Sequence, residues 1–161
     1  MEVTILPSIL EGTVMAPPSK SCMHRALICA ALSERPVKIY CTSFSKDVEA
    51  TMNCLKALGA DFEYFDSFVK VIPIDLTKEY NEECVLDCGE SGSTLRFMLP
   101  VSAVLGRKCK FIGAKRLGER PLGPLCRALE SHGIKIEYKD SFLPCTVSGK
   151  LRGGEYEIDG N

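Results

Sequence analysis

The sequence predicts an α/β fold (α+β under some schemes), built from two repeated units of about 70 residues each. Three observations carry that expectation. Glu63-Tyr64-Phe65-Asp66-Ser67-Phe68 recurs 74 positions later as Glu137-Tyr138-Lys139-Asp140-Ser141-Phe142, with five of six residues identical. Each copy follows a glycine, Gly59 or Gly133, that ends an apolar-periodic segment. Within each copy the apolar spacing switches between helix-like and strand-like periods.

In the first copy, Ser19-Lys20-Ser21 opens a run from Cys22 to Leu32, rich in Ala and Leu, that reads as a buried helix after Pro17-Pro18. Val37-Lys38-Ile39-Tyr40 alternates as a strand does. A second helix places Val48, Met52, Leu55 and Leu58 on one face, with Gly59 as its stop. Strands are expected around Phe62–Tyr64 and Phe68–Ile72.

The second copy repeats this order. Gly92-Ser93-Thr94 opens a helix running from Thr94 to Val104, followed by a strand at Lys108–Ile112. Pro121 suits the first turn of the next helix, which should bury Leu122, Leu125, Cys126 and Leu129 before Gly133. Strands around Ile134–Tyr138 and Cys145–Ser148 complete it. A unit this thin cannot bury both of its faces, so the copies should pack together.

Composition narrows the function. The formal net charge is -1 and the pI is near 6.1, which argues against a general nucleic-acid binder. No apolar run is long enough for a membrane span, and the start shows no signal-peptide pattern. The nine cysteines include no C-x-x-C pair, and only His24 and His132 could join them. No metal site is expected, and the odd count without a secretory signal fits a reducing cytosol, hence a cytoplasmic protein.

Three segments carry chemistry. Pro18-Ser19-Lys20-Ser21, with Arg25 four residues after Ser21, sets a helix start beside two cations. Unpaired N–H groups there favour an anion, Ser21 and Arg25 share a face, and Arg25 offers a planar fork. Asp87-Cys88-Gly89-Glu90-Ser91-Gly92-Ser93-Thr94-Leu95-Arg96 is a glycine-rich turn into a second helix, without the lysine of a P-loop. Lys115-Arg116-Leu117-Gly118-Glu119-Arg120-Pro121 brings a further arginine to a helix start. Each alone reads as an ordinary cap or solvated loop. Together they point to a polyanionic small molecule.

In order and spacing, these three segments resemble the signatures of the 5-enolpyruvylshikimate-3-phosphate synthase family, and Asp47-Val48 and Leu58-Gly59-Ala60 fit as well. The resemblance implies transfer of the enolpyruvyl group of phosphoenolpyruvate to the 5-hydroxyl of shikimate 3-phosphate, with no cofactor. It implies a two-lobed enolpyruvyl transferase fold of βαββαβ units, three per lobe. It also implies that Lys20, Ser21 and Arg25 hold shikimate 3-phosphate, and that Lys20, Gly92 and Arg120 contact phosphoenolpyruvate, Lys20 being catalytic.

Glu90 departs from the asparagine that many members carry there. The family pattern continues past Asn161 with a Ser-Ser-Gln motif, a third repeat and a second lobe. Residues 1–161 are thus expected to form a partial N-terminal lobe, with units at about 13–85 and 86–161. No general acid for the methylene carbon stands out, so the chain alone is expected to be inactive and to self-associate, whereas the complete enzyme is expected to be monomeric. Two rivals remain. A UDP-N-acetylglucosamine enolpyruvyl transferase would carry Lys-Asn at the first motif and a loop cysteine; here Ser21 follows Lys20, and residues 113–119 lack cysteine. A non-catalytic βα-repeat nucleic-acid module would need a basic face.

Overall fold

The computed structural model describes residues 3–157 apart from 5, 8, 10, 15, 42 and 81. The elements run α1 (Lys20–Ala31), β1 (Val37–Tyr40), α2 (Lys46–Ala57), β2 (Asp61–Tyr64), β3 (Phe68–Ile72), β4 (Cys84–Asp87), α3 (Gly92–Leu105), β5 (Cys109–Ile112), a short 3₁₀ turn (Lys115–Leu117), α4 (Gly123–Ser131), β6 (Lys135–Tyr138) and β7 (Cys145–Ser148).

The two halves share a split β–α–β plan. α2 carries the chain from β1 to β2, and β3 then returns antiparallel between them, giving the order β1-β3-β2. α4 does the same from β5 to β6, with β7 between. The second sheet has one more strand: β4 lies parallel to β5, giving β4-β5-β7-β6. Gly59 and Gly133 stop α2 and α4 in the same way, at φ 106° and 93°, where a side chain would be strained.

Three details differ from the sequence expectation. β4 was not foreseen: only four residues long, its Cys84 and Leu86 turn inward, and the parallel partner β5 makes it a strand. With β4 at its head, the complete unit runs βαβαββ rather than βαββαβ. α4 begins after Pro121, because the first helical bond runs from the Cys126 N–H to the Leu122 carbonyl and Pro124 takes the first turn. α4 packs on the edge strand β6, so Leu125 and Cys126 are only half-buried while Ala128 and Leu129 are covered. α1 is amphipathic rather than buried all round: Met23, His24, Leu27, Ala30 and Ala31 turn inward, and Cys22, Arg25, Ala26 and Cys29 outward.

One contiguous core joins the halves, since α2 packs on α1, α3 and β4 at once. Leu27, Leu55, Leu99 and Phe111 are fully covered within it, each contributing about 1.5–3 kcal/mol of apolar burial. All nine cysteines are free, and Cys54, Cys84, Cys88, Cys109 and Cys145 belong to this core. Among the described residues no helix is long and apolar enough to cross a membrane, and no cluster of metal ligands occurs. The shared core matters for function because it sets the starts of α1, α2 and α3 side by side.

Candidate anion-binding site

Ser19 caps α1 by accepting the Cys22 N–H at 3.4 Å, which leaves Lys20 as the first helical residue. Lys20 reaches across to the start of α2, where its Nζ lies 2.7 Å from Asp47 Oδ2. The pair is solvated, with side chains 52% and 32% exposed, and such pairs contribute only about 0–1 kcal/mol. A phosphate could therefore draw Lys20 off Asp47 at little cost. Ser21 and Arg25 are both exposed on the outer face of α1. The Ser19 hydroxyl first, and the Arg25 guanidinium after it, hold the Cys22 thiol below its ordinary value.

Ser91 caps α3 in the same manner, accepting the Thr94 N–H at 3.1 Å, but here the cap is buried. Gly92 is the first helical residue, and the Arg120 guanidinium packs directly on it. A Cβ at Gly92 would collide with Arg120 Nη1 and stand 3.1 Å from Arg96 Nη1. Arg96, one turn along α3, donates from Nη2 to the Pro121 carbonyl at 3.2 Å and so ties the loop carrying Arg120 to the helix. Beside this contact lies an open cleft of about 470 Å³, lined by Glu90, Arg116, Glu119, Arg120 and Pro121 among others. That volume suits a small-molecule site. Another cavity, of about 450 Å³, lies under the β6–β7 hairpin between Lys110, Tyr138 and Pro144. It is largely apolar, whereas the other cleft carries Arg116 and Arg120 beside the start of α3, so the arginine-lined cleft is the better anion site.

The two helix starts are connected. Thr94 Oγ1 donates to the Asp47 carbonyl at 3.1 Å, which joins α3 to the residue that holds Lys20. Two positively polarised helix ends and the cations around them therefore sit on one framework.

Of the residues singled out from sequence, the structure brings Gly92 and Arg120 into contact and sets Lys20 on Asp47. No hydrogen bond or ion pair joins Lys20, Ser21 and Arg25 to one another among the described residues, although all three lie in the first turns of α1. Sequence reasoning did not assign Asp47 or Arg96 to the site. Arg96 carried a signal: it stands four residues after Gly92, as Arg25 does after Ser21. Asp47 fitted the family pattern, but its contact with Lys20, 27 positions away, carried no signal. Glu90 lines the cleft with Arg120 and so places a carboxylate within the anion site.

Comparison with known proteins agrees with this picture. The family described as EPSP synthase (3-phosphoshikimate 1-carboxyvinyltransferase) matches residues 6–161. A 3-phosphoshikimate 1-carboxyvinyltransferase of Clostridium perfringens strain SM101 is 42% identical over 160 residues, covering 99% of this chain and 38% of that protein. The enzyme of the same description from Clostridioides difficile strain 630 is 39% identical over 166 residues, covering 98% of this chain and 38% of its own length. The solved structure of EPSP synthase from Acinetobacter baumannii superposes with a TM-score of 0.77 at 21% identity, over 91% of this chain and 34% of that one, a likeness of fold. The chain thus spans 38% of the length of these curated relatives.

Proposed function

This chain belongs to the EPSP synthase family, and on that premise we propose that it supplies the anion cleft for enolpyruvyl transfer from phosphoenolpyruvate to the 5-hydroxyl of shikimate 3-phosphate. The observation that carries this reading is the Arg120 guanidinium seated on side-chain-free Gly92 at the buried start of α3. A planar fork held over an open helix end suits a carboxylate or phosphate, which would accept from both at once.

Lys20, Ser21 and Arg25 are the groups proposed to hold shikimate 3-phosphate, with Lys20 shared between the two substrates. Gly92 and Arg120 are proposed to hold phosphoenolpyruvate. Two polyanions repel each other, so an array of cations and helix starts is needed to bring the 5-hydroxyl oxygen up to C2 of phosphoenolpyruvate. In the reaction the 5-hydroxyl gives up its proton as its oxygen bonds to C2, and the methylene carbon takes a proton to become a methyl group. The adduct then loses phosphate from C2 and a proton from the methyl carbon, which re-forms the double bond as the enol ether of the product. Lys20 and Arg120 are placed to stabilise charge gathering on the carboxylate and the departing phosphate.

We take residues about 13–85 and 86–161 as two units of an incomplete N-terminal lobe, with the proton-transferring groups supplied by the rest of the longer protein, a cytoplasmic monomer; the chain alone is then inactive and prone to self-association. Neither rival reading is favoured, since the family match and the relatives share the EPSP synthase description.

The test is phosphate release by an enzyme of the relatives' full length carrying this segment. Turnover is expected only with both substrates present, and Lys20→Ala and Arg120→Ala should abolish it. The 161-residue chain alone should read background. Unchanged turnover in both variants would contradict the assignment.

A further inference from the structure

A line of hydrogen bonds lies buried between α1, α2 and α3. His24 Nδ1 is 2.8 Å from Thr51 Oγ1, and Thr51 Oγ1 is 2.7 Å from Thr94 Oγ1. Thr94 Oγ1 is in turn 2.7 Å from Ser91 Oγ and 3.1 Å from the Asp47 carbonyl. His24, Thr51, Thr94 and Ser91 have no exposed surface. We infer that His24 is a positioning residue: its Nδ1–H begins a one-way chain that holds Asp47, and with it Lys20, in fixed register with the α3 start where Gly92 and Arg120 meet.

The direction follows from counting protons. The Thr94 hydroxyl is the donor towards both the Ser91 hydroxyl and the Asp47 carbonyl, and its single proton serves these two acceptors. That proton is not available to Thr51, so Thr94 Oγ1 accepts from Thr51, which spends its one proton on it. Thr51 has nothing left to give His24, so Nδ1 of the imidazole carries the proton that joins them. The other nitrogen, Nε2, becomes a bare acceptor, and it is the ring atom without a partner. Burial lowers the His24 pKa, opposed by Asp47 and aided by Lys20, which favours the neutral ring.

With the Thr51 and Thr94 hydroxyls committed in one direction, the links from His24 to Thr94 cannot be turned without leaving a buried group unpaired. A slide of α1 or α2 against α3 would break at least one link. The chain therefore transmits the position of one helix start to the other without touching a ligand.

The inference rests on reading Lys20, Gly92 and Arg120 as the anion cleft, and the experiment separates the two. Nitrogen-15 spectra of the imidazoles in the 161-residue chain at neutral pH should show His24 as the Nδ1–H tautomer, with His132→Asn identifying its signals. Titration with shikimate 3-phosphate should then show Thr51→Val binding about tenfold more weakly than the parent, and Thr51→Ser, which keeps the hydroxyl, within about twofold. A proton on Nε2 of His24 would overturn the inference without need of any variant. So would a folded Thr51→Val that binds as the parent does. Failure of the parent to bind shikimate 3-phosphate would count against the proposed function, and the tautomer alone would then decide the inference.

Discussion

The starts of α1 and α3 use the same device in two surroundings. Each helix follows a serine, Ser19 or Ser91, whose hydroxyl accepts the N–H three residues on. At the next position the two part. α1 places Lys20 there, half in solvent, and the helix carries its own cation. α3 places Gly92 there, buried, and the space a side chain would fill is taken by Arg120 from a loop more than two dozen positions away. Duplication therefore preserved the cap and the backbone, whereas the chemistry lies in one residue at the first helical position and in how deeply that position sits. A site built on an exposed start loses its charge with one side chain. One built on a buried start is lost when space is filled.

The largest effect expected from this contrast is at the exposed start. In a complete enzyme closed around its substrates, Lys20→Ala should remove about 2–5 kcal/mol of substrate binding, read as a raised dissociation constant for shikimate 3-phosphate. Removing the caps should separate the two starts by stability. Ser91→Ala takes the partner from a buried N–H and a buried hydroxyl, and should cost about 2 kcal/mol in urea unfolding. Ser19→Ala exposes its N–H to water and should cost about 0.5 kcal/mol. Equal losses would break the distinction.

Filling the buried start is next. In Gly92→Ala the new Cβ meets the far ends of Arg120 and Arg96, which can swing aside, so the fold should hold while the cleft changes. KM for phosphoenolpyruvate should rise about tenfold, and that for shikimate 3-phosphate by less. Equal rises would indicate general damage to the loop.

The smallest effect is in pH dependence. The folded His24 has a lowered pKa, so its contribution to stability is whole above the unfolded value of about 6.5. It falls away as pH drops below that value towards the folded one. Thr51→Val should change the slope of stability against pH in this window, where Asp47 and Lys20 are the charged groups acting on the ring.

Much of this architecture was legible because local chemistry and fold agree. Gly59 and Gly133 end their helices at positive φ, and the strands expected around Phe68–Ile72 and Cys145–Ser148 form there. What escaped depends on residues distant in sequence. β4 is too short to declare itself without β5, and Pro121 looks like a helix start until Arg96 claims its carbonyl. The convergence of Gly92 with Arg120 was readable only through a known family pattern, since spacing alone gives no distance between a turn and a loop. The contacts of Asp47 and of the Thr51 and Thr94 hydroxyls gave no sign, because a polar residue at a helix start or on a helix face is ordinary until its buried partner is known.

The central claim is that the starts of α1 and α3 together form the anion cleft. Backbone amide spectra of the 161-residue chain, titrated first with shikimate 3-phosphate and then with phosphoenolpyruvate, test it directly. The account predicts saturable shifts at Lys20, Ser21 and Arg25 with the first ligand, and at Gly92 and Arg120 with the second. Shifts confined to Lys110 and Tyr138 around the hairpin cavity, with residues 20–25 and 92 unmoved, would contradict it.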